Sequence, residues 1–362
     1  MTQKERDDWY SINYKYIVDP IWTYFHNLGL EYGQISNIFD RWSEPHRYYH
    51  NLNHLSEILD LMRDEDWTPE NGYDKILLYS ALFHDAVYDP TRSDNEEKSV
   101  KKFDEYVNWY VNLYPDEDTG CKELSDEDIE TIKGVIIDTK SGIPNSEYSA
   151  KFIRYDRYNL LHGDFKTVLS KTLLLFKEQQ FMDFIEWREK QIKFLTKFIT
   201  GNKSIKDVIS YLEVWKPNIG VYAGSFNPFH LGHLNILHKA ENIFDKVIIA
   251  LGVNPEKSKN GDWSDSLNNL KYHQIEHYEG FLTHFMDKLG YDTTLIRGLR
   301  NSTDLQYEMT QFQYLQDMKP DIKIVNIFCD KEFEHISSSA IRSLSKLDPK
   351  FGDKYLDIDE YI

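Results

Sequence analysis

The spacing of hydrophobic residues changes character near Lys216 and Pro217. N-terminal to that point, apolar residues recur every three or four positions, which predicts amphipathic helices. The clearest of these stretches are Tyr10–Leu28, His54–Met62, Lys75–Phe83, Glu96–Leu113, Asp126–Ile137 and Phe165–Ile199. Ser125, with Asp128 three residues later, predicts a helix cap. The N-terminal half is therefore predicted to be all-α.

C-terminal to Pro217, short apolar runs alternate with helical patterns, which indicates parallel strands buried between helices. The predicted strands are Ile219–Ala223, Lys246–Gly252, Thr293–Arg297 and Lys323–Phe328. The predicted helices are Leu234–Phe244, Leu267–Leu289 (in more than one piece) and Asp304–Met318. We therefore expect two domains, an all-α domain over residues 1–215 and a Rossmann-like α/β domain over residues 216–362.

The overall charge limits the kinds of partner that the chain can bind. A formal net charge of -18 and a pI near 5.2 argue against bulk nucleic-acid binding, which needs a basic surface. No apolar run is long enough for a membrane span or a signal core, so a cytoplasmic protein is expected. Two cysteines, Cys121 and Cys329, show neither a disulfide framework nor zinc spacing.

The segment Gly224-Ser-Phe-Asn-Pro-Phe-His-Leu-Gly-His233 carries the strongest chemical signal. It lies between a predicted strand and a predicted helix, where backbone N–H groups can bind phosphate. Its candidate binding residues are Gly224, Ser225, Phe226, His230 and His233. A P-loop or a dinucleotide-binding fingerprint would have a different glycine pattern, so this turn predicts another kind of phosphate site.

Further candidates follow the later strands, at the sheet edge where open α/β proteins bind ligands. They are Lys257 in Asn254–Lys257, Arg297 and Arg300 in Leu295–Arg300, Glu308 in the next helix, and Ser337, Ser338 and Ser339 in His335–Arg342. Attack of a phosphate oxygen on a phosphorus atom requires alignment and charge neutralisation more than a nucleophilic side chain. This set of cations and hydroxyl-capped helix ends fits nucleotidyl transfer.

In this order, the motifs of roughly residues 217–345 resemble those of the pantetheine-phosphate adenylyltransferase family of the nucleotidylyltransferases. The resemblance implies AMP transfer from ATP, with Mg²⁺, to a small phosphorylated acceptor. It implies that His233 contacts the α and β phosphates, and that Ser225 binds the acceptor phosphate. Lys257 and Arg297 would hold acceptor or triphosphate oxygens. The residues implied for the ATP side are Arg300, Glu308, Ser337, Ser338 and Ser339.

The acceptor stays open at this point. The best match is 4′-phosphopantetheine, which would give dephospho-CoA and pyrophosphate. However, Ser225 and Asn227 stand where that family usually has Thr and Asp. The same Ser-Phe-Asn-Pro wording occurs in nicotinamide-mononucleotide adenylyltransferases, which make NAD. Family transferases also form symmetric oligomers, and a fused N-terminal half could alter that assembly.

The N-terminal half carries a second candidate site. His50 and His54 are four residues apart, so on a helix they would share a face. His84 and Asp85 end an apolar helix, and Asp156 ends another helical region. Imidazole and carboxylate groups together can bind a divalent metal, which activates water and neutralises phosphoryl charge.

This pattern resembles the HD superfamily of metal-dependent phosphohydrolases. The resemblance implies His50, His84, Asp85 and Asp156 as metal ligands, with His54 replacing or supplementing His50. It places Glu96 and Arg47 near the phosphate or the activated water. The metal (Mn, Fe, Mg, Ni or Zn) and the substrate stay open. We therefore predict a bifunctional enzyme, with a non-catalytic nucleotide-sensing or assembly role of the N-terminal half as the alternative.

Overall fold

The computed structural model describes residues 32–66, 74–113, 124–252 and 264–356. Within these ranges, residues 32–178 and 190–212 form one unit, and residues 179–189 and 213–356 form the other. Segment 179–189 thus groups with the C-terminal unit, and the single boundary between residues 215 and 216 remains a prediction. The predicted helix Tyr10–Leu28, Cys121 and Lys257 lie outside the described residues.

The described chain up to residue 214 is helical throughout, as predicted. Its α-helices are α1 (Tyr32–Trp42), α2 (Leu52–Asp66), α3 (Lys75–Phe83), α4 (Asn95–Leu113), α5 (Asp126–Ser141), α6 (Glu147–Asp156), α7 (Tyr158–His162), α8 (Phe165–Glu178), α9 (Phe184–Thr196) and α10 (Lys203–Val214). The Ser125 cap of α5 is confirmed, because Ser125 and Asp128 form a reciprocal capping box.

Helix α3 forms the centre of the N-terminal unit's core. Every residue from Ile76 to Phe83 is buried, since the helix is apolar on all sides and other helices surround it. The Asp74 carboxylate caps its first turn by accepting from the backbone N–H groups of Ile76 and Leu77. The helix ends at Phe83, so His84 and Asp85 follow directly from the core.

The prediction of one helical stretch over Phe165–Ile199 is wrong. The chain leaves the helix after Glu178 and starts again at Phe184. The Asp183 side chain accepts hydrogen bonds from the backbone N–H groups of Ile185 and Glu186, which is how a new helix is capped. The apolar spacing continues across the break, which is why periodicity alone did not reveal it.

The C-terminal unit contains a five-stranded parallel sheet in the order β3-β2-β1-β4-β5. Its strands are β1 (Ile219–Gly224), β2 (Lys246–Gly252), β3 (Gln274–Tyr278), β4 (Thr294–Leu299) and β5 (Lys323–Phe328). Its helices are α11 (Leu231–Glu241), α12 (Leu282–Lys288), α13 (Ser302–Met318), α14 (Ser338–Ser345) and α15 (Asp353–Leu356). The strand order reverses between β1 and β4, and at such a point a ligand crevice opens beyond the carboxyl ends of the strands.

The four predicted strands are confirmed, but the prediction for Leu267–Leu289 missed a strand. That segment contains a 3₁₀ helix (Ser264–Leu270), then the edge strand β3, then α12. Strand β3 has the sequence Gln-Ile-Glu-His-Tyr, which lacks the apolar run of a central strand because an edge strand is only partly covered. In the described ranges, no helix combines the length and the apolar character that a bilayer crossing requires.

Candidate functional site

The carboxyl end of β1 turns sharply into α11. Phe226 occupies the left-handed region with φ 38°, an uncommon conformation for a residue with a bulky side chain. Its ring lies so close to Gly224 that a Cβ there would come within 2.8 Å of it. His230 is the N-cap residue of α11. The first N–H groups of this helix are therefore available at the sheet edge, where an anion is favoured.

The two histidines of the turn stack on each other. The rings of His230 and His233 lie 3.6 Å apart with an interplanar angle of 21°. Gly232 leaves room for them, since a Cβ there would be 3.1 Å from the His230 ring. Burial, together with the Arg300 guanidinium, lowers the pKa of His230 to about 3, and burial likewise lowers the pKa of His233.

Both imidazoles are thus neutral near pH 7. Within the described part of the chain, the Nδ1 atoms of His230 and His233 are buried and have no hydrogen-bond partner. Buried polar atoms without partners are costly, so two of them in one place indicate that a polar ligand completes this site. A neutral imidazole can still donate one N–H to a phosphoryl oxygen.

Two arginines at the end of β4 are held by carboxylates of α13. Glu308 accepts from Arg297 Nε at 2.7 Å and from Arg297 Nη2 at 2.5 Å. Asp304 accepts from Arg300 Nε at 2.9 Å and from Arg300 Nη2 at 3.0 Å. Bidentate pairs of this kind fix the guanidinium plane as well as its charge. Although burial opposes the charge, Glu308 raises the pKa of Arg297.

Helix α14 is attached directly to the turn of residues 224–233, the phosphate turn. The Ser338 hydroxyl donates to the Pro228 carbonyl oxygen at 2.9 Å, and Arg342 donates to the Asn227 carbonyl oxygen. Ser337 caps the helix by accepting from the Ala340 N–H. The start of α14 and the start of α11 therefore lie against the same turn.

These elements enclose one cavity of about 360 Å³ at the carboxyl edge of the sheet. The structure brings together nine of the predicted residues in its lining. They are Ser225, His230, His233, Arg297, Arg300, Glu308, Ser337, Ser338 and Ser339. Gly224 and Phe226 shape the turn instead of lining the cavity. Lys257 lies outside the described residues.

Sequence reasoning missed Asp304 and Arg342, which also line this cavity. Each had a local signal. Asp304 follows Arg300 by four residues at the start of a predicted helix, a spacing that favours ion pairing. Arg342 is the last residue of the predicted motif His335–Arg342.

The N-terminal unit contains a four-residue cluster of His54, His84, Asp85 and Asp156. Ligand atoms of His54, His84 and Asp85 all lie within 4.8 Å of one another. Asp156 Oδ1 is 3.0 Å from His54 Nε2 and 3.6 Å from His84 Nε2. Ligands bound to one ion at about 2.0–2.2 Å stand at most about 4.4 Å apart. The cluster therefore needs only a small contraction to hold a metal.

The hydrogen bonds of His84 fit a metal ligand. Its Nδ1 lies 3.0 Å from the Ala81 carbonyl oxygen, so Nδ1 donates to that carbonyl. Nε2 faces Asp85 and Asp156, and a metal would bind there in place of a proton. Nε2 is buried without an aligned hydrogen bond, although Asp85 Oδ2 is 3.1 Å away. Burial opposes a charge on this imidazole, yet Asp85 and Asp156 raise the pKa of His84 to about 10. Positive charge is favoured here, and a divalent cation would supply it.

His50 does not belong to this cluster. Its Nδ1 is 2.7 Å from Glu178 Oε2, and it lies outside the group of ligand atoms that includes the other two histidines. The spacing of His50 and His54 suggested a shared helix face, but α2 begins at Leu52 and His50 lies in the preceding loop. Glu178 itself was not predicted, because 128 residues separate it from His50.

Glu96 and Arg47 have different surroundings. Glu96 is in the first turn of α4, and burial together with the Asp85 carboxylate raises its pKa. Arg47 has a fully buried side chain and donates to the Asp85 carbonyl oxygen at 2.7 Å. Arg47 therefore holds the backbone at Asp85, whereas Glu96 is close enough to the Asp85 carboxylate for that charge to affect its pKa.

Comparison with known proteins agrees with the geometry of the C-terminal unit. The cytidylyltransferase-like family matches residues 221–344. A phosphopantetheine adenylyltransferase of Mycoplasma mycoides subsp. mycoides is 35% identical over 131 residues, which are 34% of this chain and 94% of the relative. One from Rhodopirellula baltica is 30% identical over 137 residues, or 36% of this chain and 76% of the relative.

A third relative, from Streptococcus pneumoniae, is 35% identical over 138 residues, which are 35% of this chain and 83% of the relative, and it has the same name. Each relative is thus matched over most of its own length. The strand order, the stacked histidines and the paired arginines lie in the part of the chain that the family match covers. Through its C-terminal part, this chain belongs to the phosphopantetheine adenylyltransferase family of the nucleotidyltransferases.

Proposed function

We propose that the C-terminal unit transfers AMP from ATP to 4′-phosphopantetheine, giving dephospho-CoA and pyrophosphate, with Mg²⁺ accompanying the ATP. The observation that carries the proposal is the cavity of about 360 Å³ into which His230, His233, Arg297 and Arg300 all face. The starts of α11 and α14 adjoin the same turn. The printed names of the relatives favour phosphopantetheine as the acceptor.

The reaction fits the chemistry of these groups. An oxygen of the acceptor phosphate attacks the α-phosphorus of ATP, and the bond from that phosphorus to the oxygen bridging the α and β phosphates breaks. Pyrophosphate leaves with the electron pair, so negative charge grows on its oxygens. Helix N-termini, arginines and imidazole N–H groups stabilise such charge without forming a covalent intermediate. Mg²⁺ would add to that neutralisation when bound with ATP.

The acceptor can be tested directly on the purified full-length chain. Pyrophosphate release is measured with ATP and Mg²⁺, separately with 4′-phosphopantetheine and with nicotinamide mononucleotide. We expect release with phosphopantetheine and formation of dephospho-CoA. Release only with nicotinamide mononucleotide would replace the acceptor but keep AMP transfer. The absence of release with either acceptor would refute the proposal.

As a second function, we propose a metal-dependent phosphohydrolase site of the HD type in the N-terminal unit. The cluster of His54, His84, Asp85 and Asp156 supports it, because its donor set suits a divalent metal. A bound metal would lower the pKa of a water molecule. Glu96 would lie near that water as the acid–base group.

A metal titration followed by phosphate release tests this second function. The wild-type chain and Asp85→Asn are compared for Mn²⁺ content and for phosphate released from a panel of nucleotides. We expect metal uptake and release by the wild type, both lost in the variant. Metal uptake with bound nucleotide but no release would favour the sensing role instead. An absence of metal uptake would refute the hydrolase.

A further inference from the structure

We infer that His50, held in place by Glu178, binds an oxygen of the substrate's phosphate beside the four-residue cluster, and does not bind the metal. The inference rests on the proposed phosphohydrolase function of the N-terminal unit and adds to it a substrate-binding group and its support. The support is Glu178, a buried carboxylate that is not part of the proposed metal site.

Glu178 is the last residue of α8 and is only 2% exposed. One of its oxygens accepts from the backbone N–H groups of Tyr49 at 2.7 Å and His50 at 2.8 Å. The other accepts from His50 Nδ1 at 2.7 Å and from the Tyr88 hydroxyl at 2.8 Å. An ionised carboxylate only accepts, so the proton of this pair is on Nδ1. The remaining nitrogen, Nε2, is left for another partner.

The His50 ring is also fixed by stacking. It packs against Tyr88 at 4.2 Å between ring centroids and against the edge of Tyr49 at 4.8 Å. Within the described residues, Nε2 forms no hydrogen bond. The His50 side chain is 20% exposed, whereas those of His54 and His84 are 3% and 2% exposed. His50 is therefore rigid but accessible, while the two cluster histidines are enclosed.

The position of His50 relates it to the proposed metal site. Its ring centroid is 6.0 Å from that of His54, and the two rings meet edge to face. His50 nevertheless lies outside the group whose ligand atoms come within 4.8 Å of one another. A side chain that packs against a metal-binding histidine is well placed to contact a substrate phosphate bound to that metal. Through Nε2 it can accept from a phosphate hydroxyl or, when protonated, donate to a phosphate oxygen.

A purely structural role would explain less. The backbone N–H groups of Tyr49 and His50 already attach the loop to Glu178, as does the Tyr88 hydroxyl. The imidazole adds little to that attachment. What it adds is a second ring nitrogen, in a side chain that is held in place, partly exposed and packed against His54, which is how a preorganised binding group is built.

The test compares four single variants of the full-length chain, each incubated with Mn²⁺. His50→Gln removes the inferred phosphate contact, and His54→Gln removes a cluster residue. His46→Gln is the matched control, because His46 lies in the same loop and stacks on the same Tyr88 ring but bonds the Tyr88 carbonyl oxygen. The measurements are Mn²⁺ bound per chain and the dissociation constant of inorganic phosphate as probe.

We expect His50→Gln to keep its Mn²⁺ and to bind phosphate about 10- to 100-fold more weakly, the loss typical of one hydrogen bond to a charged group. His54→Gln should lose Mn²⁺, and His46→Gln should behave as the wild type. Glu178→Gln should weaken phosphate binding less than His50→Gln while metal is retained. Its thermal unfolding is measured alongside, so that a folding defect is recognised.

Two outcomes would overturn the inference alone. Loss of Mn²⁺ in His50→Gln would make His50 a metal ligand. Unchanged phosphate binding in a metal-loaded His50→Gln would make the Glu178 pair structural. A wild-type chain that takes up no Mn²⁺ would instead refute the phosphohydrolase proposal, and the inference with it.

Discussion

Asp304 offers the sharpest test of how the transferase site is organised. Its carboxylate accepts three hydrogen bonds from Arg300, namely from the backbone N–H at 3.1 Å, from Nε at 2.9 Å and from Nη2 at 3.0 Å. The substitution Asp304→Asn keeps the shape and one acceptor oxygen but removes the charge and the bidentate pair. We expect Arg300 to lose its fixed direction while remaining in the cavity.

The effect on stability should be small. The Arg300 and Asp304 side chains are 36% and 24% exposed, and a screened pair of this kind contributes about 1 kcal/mol or less. Loss of an acidic residue in the first turn of α13 adds about 0.3–1 kcal/mol. The variant should therefore fold, with an unfolding free energy lower by about 1 kcal/mol, as measured by urea denaturation.

The effect on activity should be larger than the effect on stability. Removing a preorganised donor to a developing negative charge costs about 10²–10³ in rate. Asp304→Asn retains the arginine and misplaces it, so a loss of about tenfold in kcat/KM for ATP is expected. The assay is pyrophosphate release at varied ATP with saturating acceptor.

A double-mutant cycle separates positioning from other roles. If Asp304 acts through Arg300, the double variant with Arg300→Ala should be no slower than Arg300→Ala alone. Independent losses that multiply would refute this reasoning, as would a wild-type rate for Asp304→Asn. Glu308→Gln, which breaks the neighbouring pair with Arg297, is the matched comparison.

Three further outcomes are expected. His233→Asn should slow pyrophosphate release about 10²- to 10³-fold with an unchanged circular dichroism spectrum, because it removes an imidazole from the phosphate turn; a rate within twofold of wild type would contradict the site. Lys246 is buried with its ammonium donating to the carbonyl oxygens of Gln180 and Met182, and burial lowers its pKa to about 7. This pKa lies below the value of about 10.4 in the unfolded chain, so above pH 7 the folded state favours the neutral amine. The stability of the wild type relative to Lys246→Met should therefore rise by at most about 1.4 kcal/mol per pH unit from pH 7 towards 10. Urea denaturation of both proteins at pH 7 and pH 9 measures this rise, and an equal stability difference at the two pH values would contradict it. Ser125→Ala removes the α5 capping box and should lower the unfolding free energy by about 1 kcal/mol, whereas Glu130→Ala, at an exposed site of the same helix, should change it by less than about 0.5 kcal/mol.

The parts of the transferase site that could be predicted from sequence lie close together along the chain. The turn from Gly224 to His233 carries its own strand, glycines and histidines, so its local pattern is sufficient. Arg297 and Arg300 could be assigned to the same sheet edge because parallel strands end on one side. The spacing of apolar residues did not predict that Arg297 pairs with Glu308 and Arg300 with Asp304.

The rest required distant contacts or departures from regular patterns. Glu178 meets His50 across 128 residues, and nothing in the neighbourhood of either residue signals the other. Strand β3 was missed because partial exposure allows polar residues in it. The break between α8 and α9 was missed because the apolar spacing runs through it, and only the Asp183 cap marks the new start.

The attachment of α14 to the phosphate turn has a mechanical consequence. Ser338 and Arg342 donate to the carbonyl groups of Pro228 and Asn227, so the starts of α11 and α14 are coupled and should not shift separately. A substitution that reshapes the turn should therefore also displace the serines of α14 that line the cavity. A change of acceptor specificity should therefore require substitutions in the turn and at the start of α14 together.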